Sequence, residues 1–427
     1  MKKAEEFLKR HRLRAADIST DEGVAIFTAD MIAGLNGEKG ALSMIPTYIE
    51  AENEFLKDTT VLAIDAGGTN FRAALVKFTA GDEIEINELV NYPMPGLEKE
   101  IGADEFFGAI AGYVAPLASK TDRVGFCFSY PTEILPTRDG RLITFCKEVK
   151  AKGVQGELVG KRLLEALRTP SKKIVVLNDT VATLLAGKSV AMNKSFDSYV
   201  GFILGTGTNT CYIEQKRNII KQKDHGSEGT MIINVESGNF NKGPRTKLDR
   251  KFDLNTTDPG KYTFEKMFSG GYLGGLSLSV LKTAASEGVF SEESARMTQL
   301  LSDLSTSEMN DFLIKGGKSG NILSVCYSNQ EDAENSTLIL NELINRASKL
   351  VAANLAAVIL KTGRGLTEEK PVLITIDGTT YYNLHTLKSK FEKCLSDYLS
   401  GERKRYVEMT GVGKSGLIGA ALAGLIE

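Results

Sequence analysis

A short sequence occurs twice in the chain and constrains its fold more than any other feature. Residues 62–74 form an apolar strand, a Gly-Gly-Thr-Asn turn and a second strand, and residues 201–213 repeat that arrangement. The tripeptide Gly-Thr-Asn stands at 68–70 and again at 207–209. Because the same strand–turn–strand context surrounds both copies, we interpret them as an internal duplication. The chain is therefore expected to contain two similar halves, each offering one Gly-Thr turn to a shared cleft.

The order of the predicted elements indicates an α/β fold. The predicted strands are 61–64, 71–78, 84–90, 124–129 and 173–177. Residues 104–117 have helical periodicity. Strands that alternate with helices in this way are typical of layered α/β sheets. The short polar stretch 187–198 is the predicted domain junction.

Composition excludes several classes of protein. The 427 residues include 52 Lys or Arg and 54 Asp or Glu, so the chain lacks the basic excess of a nucleic-acid-binding protein. Five cysteines without a CxxC pair, and three histidines far apart, argue against a disulfide framework and a zinc site. The longest apolar run, 417–426, is much shorter than the roughly 18 residues of a membrane span. We therefore expect no nucleic-acid or membrane partner, and acid–base chemistry carried by a carboxylate.

The N-terminal segment is predicted to be a charged surface helix. Residues 1–13 lack the apolar region of a secretory signal, so cytoplasmic residence is expected. Phe7, Leu8 and Leu13 form a short apolar stripe. The helix is expected to dock on its own domain through this stripe, and binding to a partner protein is the alternative.

The two Gly-Thr turns have the composition of anion sites. A tight turn of this kind points several backbone N–H groups and a hydroxyl the same way, and phosphate is the usual ligand of such a concavity. Glycine is needed because a Cβ would block close approach and positive φ angles. Two facing turns would hold the β- and γ-phosphates of a nucleotide, and Asp65 would hold Mg²⁺ directly or through water. Plain hairpin turns are the alternative.

A third segment, 175–182, ends an apolar strand in Asn178 and Asp179 and is predicted to continue as a helix. Open α/β sheets place ligands at the C-terminal ends of their strands, which makes Asp179 a candidate site residue. The helix dipole at that position favours the charged carboxylate. Asn and Asp are also preferred helix N-caps, and the two roles are compatible.

Residues 411–415, Gly-Val-Gly-Lys-Ser, look like the end of a P-loop but do not complete one. The GxxxxGK[ST] pattern needs its first glycine at position 408, which is Glu408. The segment is instead expected to be a glycine-rich helix start close to a nucleotide.

Seven segments, taken together and in order, resemble the motifs of hexokinases. They are 64–72, 128–131, 177–180, 204–209, 234–236, 264–267 followed by 269–270, and 376–379. Over roughly residues 60–425 the chain is similar to the eukaryotic-type hexokinase and glucokinase family of the actin-like ATPase superfamily. The resemblance implies an α/β protein with two ribonuclease-H-like domains flanking a central cleft, and a C-terminal helix that packs back on the smaller domain. It implies a small domain of residues 59–188 plus 412–427, and a large domain of residues 1–58 plus 189–411.

The resemblance also implies roles for individual residues. Asp179 is similar to the catalytic base that takes the proton from the sugar 6-hydroxyl, and Lys147 joins it in the catalytic set. The positions that match sugar-binding residues are Ser129, Tyr130, Cys146, Lys147, Asn178, Asp179, Asn209, Glu236 and Glu265. The positions implied to bind the nucleotide are Asp65, Ala66, Gly67, Gly68, Thr69, Asn70, Arg72, Thr206, Gly207, Gly270, Gly271, Gly378, Thr379, Gly413, Ser415 and Gly416. The implied cofactors are ATP and Mg²⁺, with Asp65 as the magnesium ligand.

Two positions depart from the family pattern. Cys146 stands before Lys147 where the family usually has Thr, and cysteine is a weak hydrogen-bond donor. Ser237 follows Glu236 in place of a bulky aromatic residue, and the chain has no tryptophan. Because both positions belong to the expected sugar site, we expect an altered affinity or an altered preference among hexoses.

The activity implied by the resemblance is transfer of the γ-phosphoryl group of Mg-ATP to the 6-hydroxyl of glucose or a related hexose, with closure of the two domains on the sugar. A catalytically weak relative that senses sugar is one alternative, and a kinase of another small molecule on the same scaffold is a second. The expected partners are a hexose and ATP. Both a monomer and a homodimer are compatible with the sequence.

Overall fold

Most of the strands belong to two sheets. The computed structural model describes residues 2–50, 52–145, 149–190, 194–222, 226–316 and 320–426. Within those ranges the strands are β1 (Ile45–Pro46), β2 (Thr60–Gly67), β3 (Asn70–Phe78), β4 (Ile84–Pro93), β5 (Ile101–Gly102), β6 (Arg123–Phe128), β7 (Thr132–Ile134), β8 (Gly140–Leu142), β9 (Ala151–Lys152), β10 (Lys173–Leu177), β11 (Ser198–Leu204), β12 (Thr208–Gln215), β13 (Thr230–Asn234), β14 (Val372–Asp377) and β15 (Val407–Thr410). The helices are α1 (Lys2–Arg10), α2 (Thr20–Asn36), α3 (Ala103–Ala118), α4 (Val159–Ala166), α5 (Asp179–Val190), α6 (Lys247–Asp253), α7 (Leu273–Ser286), α8 (Glu292–Leu300), α9 (Thr306–Ile314), α10 (Gln330–Thr362), α11 (Thr379–Asn383), α12 (Leu387–Tyr398) and α13 (Ser415–Leu425).

Among the described residues, the smaller sheet has five strands in the order β10-β6-β2-β3-β4. β2 and β3 form an antiparallel hairpin whose register closes at Gly67 and Asn70, and β6 runs parallel to both β2 and β10. Parallel strands end at the same edge of a sheet, so the ends of β2, β6 and β10 lie together. Asp65 lies near the end of β2, while Ser129 and Asn178 directly follow β6 and β10.

In the described part of the chain, the larger sheet has six strands in the order β1-β13-β12-β11-β14-β15. β11 and β12 form an antiparallel hairpin that closes at Leu204 and Thr208, and β14 runs parallel to both β11 and β15. Each sheet therefore contains a hairpin around a Gly-Thr turn and two further strands parallel to the first strand of that hairpin, with antiparallel strands added on the other side. The two similar halves that the repeated turn predicts are present as these two sheets.

The predicted elements of the first half are confirmed, with ends that move by a few residues. The predicted strand 61–64 is the middle of β2, and the predicted helix 104–117 is α3. The predicted domain junction around 187–198 includes the end of α5 at Val190 and the start of β11 at Ser198, and as a domain boundary it stays a prediction. The division of the chain into the domain ranges given above stays a prediction.

Helix α10 is the centre of the larger hydrophobic core, where it packs against α2 and α12. By length and composition it is the one helix in the described ranges that could cross a membrane, but 83% of its most apolar stretch is buried inside the protein. Helix α1 also packs on α10, and Phe7, Leu8 and Leu13 are buried in the same core. The prediction that the N-terminal helix docks on its own chain is confirmed.

Helix α13 packs on the smaller sheet and on α5. The contact with α5 is close at Gly419, where a Cβ would lie only 1.9 Å from the carbonyl oxygen of Ala182. A larger residue at position 419 would therefore push the two helices apart. Since α5 begins at Asp179 and α13 begins beside Asp65, this contact fixes two candidate site residues relative to each other.

Candidate active site

Asn178 and Asp179 stand at the junction between β10 and α5. The backbone N–H of Thr180 donates to Asn178 Oδ1 and to Asp179 Oδ1, each at 2.8 Å. Asn178 also accepts the backbone N–H of Ala182 at its carbonyl oxygen, so it caps the helix. The N-cap role predicted for this pair is confirmed for Asn178, and the half-buried Asp179 is the first residue of α5. The role of Asp179 as a site residue stays a prediction at this point.

Three amides and one carboxylate form a network next to Asp179. Asn209 Nδ2 lies 2.8 Å from Asn234 Oδ1, 3.4 Å from Glu236 Oε1 and 3.5 Å from Asn178 Oδ1. Asn234 Nδ2 in turn donates to Glu236 Oε1 at 2.8 Å. The structure thus brings together Asn178, Asn209 and Glu236, which lie far apart in the sequence and were predicted to bind one ligand.

Further polar groups bind the side-chain oxygen of Asn209 and fix the orientation of its amide. Asn209 Oδ1 accepts the backbone N–H groups of Thr210 at 2.7 Å and Ser237 at 3.2 Å. The hydroxyl oxygens of Thr210 and Ser237 lie 3.1 Å apart, and Asn354 Nδ2 on α10 donates to Thr210 Oγ1 at 3.0 Å. Since two N–H donors face its oxygen, Asn209 must present its NH₂ group to Asn234 and Glu236.

Glu236 has an uncommon backbone conformation and is largely removed from solvent within the amide network. Its φ angle is +59°, in the left-handed region that non-glycine residues rarely adopt. Burial raises the pKa of Glu236, the hydrogen bond from Asn234 lowers it, and the charge of nearby Asp179 raises it again. The carboxylate oxygens of Glu236 accept hydrogen bonds, which suits the recognition of a hydroxyl group.

The second Gly-Thr turn is tied to Glu265. The backbone N–H of Thr208 donates to Glu265 Oε2 at 2.8 Å. A Cβ at Gly207 would lie 2.6 Å from the same oxygen, so position 207 accepts only glycine without a shift of Glu265. Glu265 therefore lies against the turn that follows β11, close to the network around Asn209.

The first Gly-Thr turn is supported by the residues that follow β6. The backbone N–H of Ser129 donates to Ala66 O at 3.0 Å, and the hydroxyl of Tyr130 donates to Gly68 O at 3.0 Å. The Cβ position of Gly67 lies 3.0 Å from Ser129 Oγ. Ser129 and Tyr130, predicted to bind sugar, are thus placed directly behind the turn predicted to bind phosphate. The exposed residues Thr69 and Asn70 form its tip.

Asp65 is the acidic group beside the first turn. Its carboxylate lies 3.8 Å from the guanidinium of Arg72, and a Cβ at Gly416 would lie 2.6 Å from its Cγ. Burial raises the pKa of Asp65 to about 6; Arg72 opposes this rise, and the charges of Asp179 and Asp377 add to it. Three carboxylates therefore interact where the two sheets meet.

Backbone hydrogen bonds join the second turn to two more glycine-containing segments. Gly270 N donates to Gly205 O at 2.8 Å, and Gly271 N donates to Thr206 O at 2.9 Å. The hydroxyl of Thr380 donates to Gly205 O at 2.8 Å. Three segments that the sequence separates by more than sixty residues each form one assembly, as their predicted common role requires.

Gly378 closes this assembly and borders a cavity. Its φ angle is +118°, and a Cβ there would lie 2.3 Å from Leu204 O, so only glycine fits. Next to it opens a cavity of about 240 Å³. The residues that line the cavity are Thr206, Gly270, Thr306, Ser307, Asn310, Thr379, Thr380, Asn383 and Leu384.

The start of α13 completes the arrangement. The hydroxyl of Ser415 donates to Asp377 Oδ2 and lies 3.5 Å from Thr183 Oγ1. Gly413 is exposed, and a Cβ there would meet no atom within 4 Å. The strand and helix that flank residues 411–415 are present as β15 and α13, while Glu408 lies within β15. Ser415 is thus held by an acid next to Asp65, whereas Gly413 is loosely placed.

Two residues predicted for the site, Cys146 and Lys147, lie outside the described residues. Conversely, the structure places two residues in the site, Asn234 and Asp377, that the sequence analysis did not name as site residues. Asn234 bridges Asn209 and Glu236, and Asp377 binds Ser415. The sequence pattern that identified Asp179, an acidic residue at the end of an apolar strand, is also present at Asp377 and could have identified it. Asn234 ends β13 and lies two residues before Glu236.

In the described part of the chain, no group of three or more His, Cys, Asp or Glu side chains could hold a metal ion by itself. A magnesium ion at Asp65 would therefore take most of its ligands from bound phosphate and water, as Mg²⁺ commonly does. The three interacting carboxylates around Asp65 fit such a cation, since a positive charge there would relieve their mutual repulsion.

Comparisons with known proteins agree with this arrangement. Two family models, both described as hexokinase, match residues 3–189 and 199–426. Hexokinase-3 of Mus musculus is 31% identical over 386 residues, which are 84% of this chain and 40% of that protein. Hexokinase-7 of Oryza sativa subsp. japonica is 30% identical over 431 residues, 94% of this chain and 92% of that protein. The chain spans about two fifths of the length of the first mammalian relatives it matches.

A solved structure gives the same result for the fold. The hexokinase from Schistosoma mansoni complexed with glucose matches with a TM-score of 0.78 and 23% identity, covering 98% of this chain and 99% of that one. The two-domain α/β fold that the sequence predicts is confirmed. The family models together span most of the chain, and the chain belongs to the hexokinase family.

Proposed function

We propose that the chain transfers the γ-phosphoryl group of ATP to the 6-hydroxyl of a hexose, with Asp179 as the general base. One observation carries the proposal: Thr180 N binds both Asn178, in the amide network, and Asp179, while the contact between α5 and α13 holds Asp179 in place relative to Asp65 beside the first turn. A carboxylate between an anion site and a hydroxyl-binding site stands where a proton must leave the attacking alcohol.

The amide network suits a pyranose. A sugar ring presents hydroxyl groups that each donate and accept a hydrogen bond, and Asn178, Asn209 and Glu236 offer both kinds of partner. A site built from such groups rejects analogues that lack a hydroxyl, because its polar groups would be left unpaired. The fixed orientation of Asn209 means that this part of the site is organised before a sugar binds.

The phosphate side of the proposed site is made of backbone groups. The glycines of these segments let them pack closely on one another, because a Cβ at Gly207, Gly270 or Gly378 would lie less than 3 Å from another protein atom. The backbone N–H groups of the two turns are the proposed phosphate ligands. Mg²⁺ held at Asp65 would neutralise charge on the phosphates. Phosphoryl transfer needs positioning and charge neutralisation more than covalent participation of the protein, so this construction suits the reaction. The cavity bordered by Thr206, Gly270 and Thr379 has space for the nucleoside.

Asp179 has two tasks in the proposed mechanism. It accepts a hydrogen bond from the 6-hydroxyl, which orients the oxygen toward the γ-phosphorus, and it receives the proton as the new bond forms. The start of α5 holds the carboxylate through Thr180 N, which favours its charged form. Loss of a positioned general base typically costs about 10²–10⁴-fold in rate.

We further propose that the two sheets close on the sugar, because an open site would transfer the phosphoryl group to water. Small-angle scattering with and without glucose tests this: the radius of gyration is expected to fall in the complex. An unchanged radius in a protein that binds glucose by calorimetry would remove closure from the mechanism.

The decisive experiment is an assay of ADP release with Mg-ATP and glucose, mannose, fructose or N-acetylglucosamine. Asp179→Asn keeps the size of the side chain and is expected to lose about 10²–10⁴-fold in turnover while still binding sugar. Glu98→Gln, an exposed substitution outside the site, is the matched control and should behave as wild type. Near-normal turnover of Asp179→Asn would contradict the assigned role of Asp179. Sugar binding without turnover in the wild type would favour a sugar-sensing relative.

A further inference from the structure

A second concave surface lies away from the proposed catalytic site. A groove of about 600 Å³ runs between the segment that follows α1 and the loop that leads into α6. It shares no lining residue with the cavity beside Gly270 or with the amide network. Its volume falls within the roughly 300–1,000 Å³ of small-molecule sites.

Positive charge dominates the walls of this groove. Six of its seventeen lining residues are Lys or Arg, and two are acidic. The six cationic residues are Arg10, Arg12, Lys242, Arg245, Lys247 and Arg250. The whole chain has slightly more acidic than basic residues, so the groove departs from the average surface. Such a concentration of one sign attracts anions.

Half of these cations are not neutralised by the protein. Arg10, Lys242 and Arg245 form ion pairs with carboxylates that do not line the groove. Within the described residues, the exposed side chains of Arg12, Lys247 and Arg250 have no ion pair within 4 Å. We call Arg12, Lys247 and Arg250 the free cations of the groove.

The two acids of the groove offset only part of its positive charge. Asp17 binds Arg14, which does not line the groove, at 2.6 Å, and its charge also interacts with that of Arg12. Glu22 lies in the first turn of α2, where the helix dipole offsets its charge. The N-cap residue of α2, Ser19, also lines the groove, so the positive end of a 17-residue helix faces it.

The groove also has an apolar wall. Ile18, Ile26 and Phe240 line it, and Phe240 packs against Phe27 with ring centroids 4.8 Å apart. A ligand that fits both features carries several negative charges and an organic body. Guanidinium groups suit phosphate oxygens because they offer two parallel donors.

We propose that this groove is a binding site for a small organic polyphosphate, separate from the catalytic site. The phosphates lie among Arg12, Lys247 and Arg250, and the organic part lies against Ile18 and Phe240. The segment from Phe240 to Arg250, which ends in α6, begins three residues after Ser237, whose backbone N–H donates to Asn209.

Titration calorimetry of the full chain with inorganic tripolyphosphate tests the phosphate part of the proposal. Three proteins are compared: wild type, the groove variant Arg12→Gln/Lys247→Gln/Arg250→Gln, and the control variant Arg217→Gln/Arg296→Gln/Lys370→Gln. The control removes the same charge from exposed positions outside the groove. Binding at the phosphate turns is common to all three proteins and cancels in the comparison.

Wild type and control are expected to bind one more equivalent of tripolyphosphate than the groove variant, or to bind it roughly tenfold more tightly for each charge removed. That difference should shrink as NaCl rises from 50 to 300 mM, because salt screens exposed charges. Equal stoichiometry and affinity in the groove and control variants would overturn the proposal. Thermal unfolding of all three proteins shows that the chains are folded, and the readout does not depend on catalytic turnover.

Discussion

Asp65 offers a test of the site that does not require a substrate. Its side chain is only 19% exposed, and Asp179 and Asp377 add negative charge nearby. At neutral pH the protein must hold this carboxylate ionised in surroundings that disfavour the charge. We therefore predict that Asp65→Asn, which keeps the shape and removes the charge, stabilises the protein in the absence of nucleotide and Mg²⁺.

The size of the effect follows from the pKa. A rise from 3.8 to about 6 corresponds to at most about 3 kcal/mol, at about 1.36 kcal/mol for each pKa unit. Because the folded state binds the proton of Asp65 more tightly than the unfolded state, the free energy of unfolding falls as pH rises from about 4 to about 6. Above about pH 6 the full cost of ionising buried Asp65 lowers the free energy of unfolding, and below about pH 4 this cost is absent.

The assay is thermal unfolding of wild type and Asp65→Asn at pH 4 and pH 7.5, with Glu98→Gln as an exposed control. The variant is expected to unfold several degrees higher than wild type at pH 7.5 and close to wild type at pH 4. The control should shift little at either pH. Turnover of Asp65→Asn should be strongly reduced, since the proposed magnesium ligand is lost.

Two results would refute this reasoning. A variant that is equally or less stable at pH 7.5 would show that burial of Asp65 costs nothing, or that its contact with Arg72 outweighs the cost. A stabilisation of the same size at both pH values would show that the gain does not come from the charge. Natural proteins often keep a destabilising group of this kind because the activity requires it.

Two further perturbations test packing around the site. Gly419→Ala places a Cβ 1.9 Å from Ala182 O and is expected to lower the free energy of unfolding by about 1–3 kcal/mol. Gly108→Ala is the control, because this helical position has open space around it, and it should raise the free energy of unfolding by about 0.5–1 kcal/mol. If thermal unfolding shifts in the same direction for both variants, the packing described for Gly419 is contradicted. Asn354→Ala should raise the KM for sugar, because Thr210 loses its hydrogen bond from Asn354. In a double-mutant cycle, adding Thr210→Val to Asn354→Ala should change this KM little further. Additive increases in KM would show that the two residues act in separate networks.

Local sequence was enough to predict three parallel strands whose ends carry candidate site residues. β2, β6 and β10 are short apolar runs that end in glycine or polar residues, and a buried parallel strand has no other common pattern. Asp179 could be placed because the end of such a strand meets the start of a helix there. These inferences need no knowledge of which strands become neighbours.

The hydrogen bonds of the sugar side could not be predicted in the same way. Asn209 receives its partners from β13, from the loop after it and, through Thr210, from Asn354 in the middle of α10. Asn354 stands alone in an apolar stretch, which signals a buried polar group with a partner but does not say which partner. The positive φ angle of Glu236 depends on tertiary contacts, and no pattern in the local sequence indicates it.

The two halves share the strand–turn–strand arrangement but differ in the polar residues that they carry. When residues 62–74 are set against 201–213, Asp65 stands opposite Leu204 and Asn70 opposite Asn209. Asn209 is bound to Asn234 and Glu236, whereas Asn70 is exposed and bonds to the neighbouring Thr69.

Within the larger sheet, the acid near the phosphate turns is Asp377, which ends β14 rather than the hairpin strand β11. The two sheets thus each carry one turn of the kind suited to phosphate. In the site as we propose it, the cation belongs to the half with Asp65 and most of the hydroxyl-binding amides belong to the half with Asn209. A cleft between two unlike halves can hold a phosphoryl donor and an alcohol in a fixed order, which two identical halves could not specify.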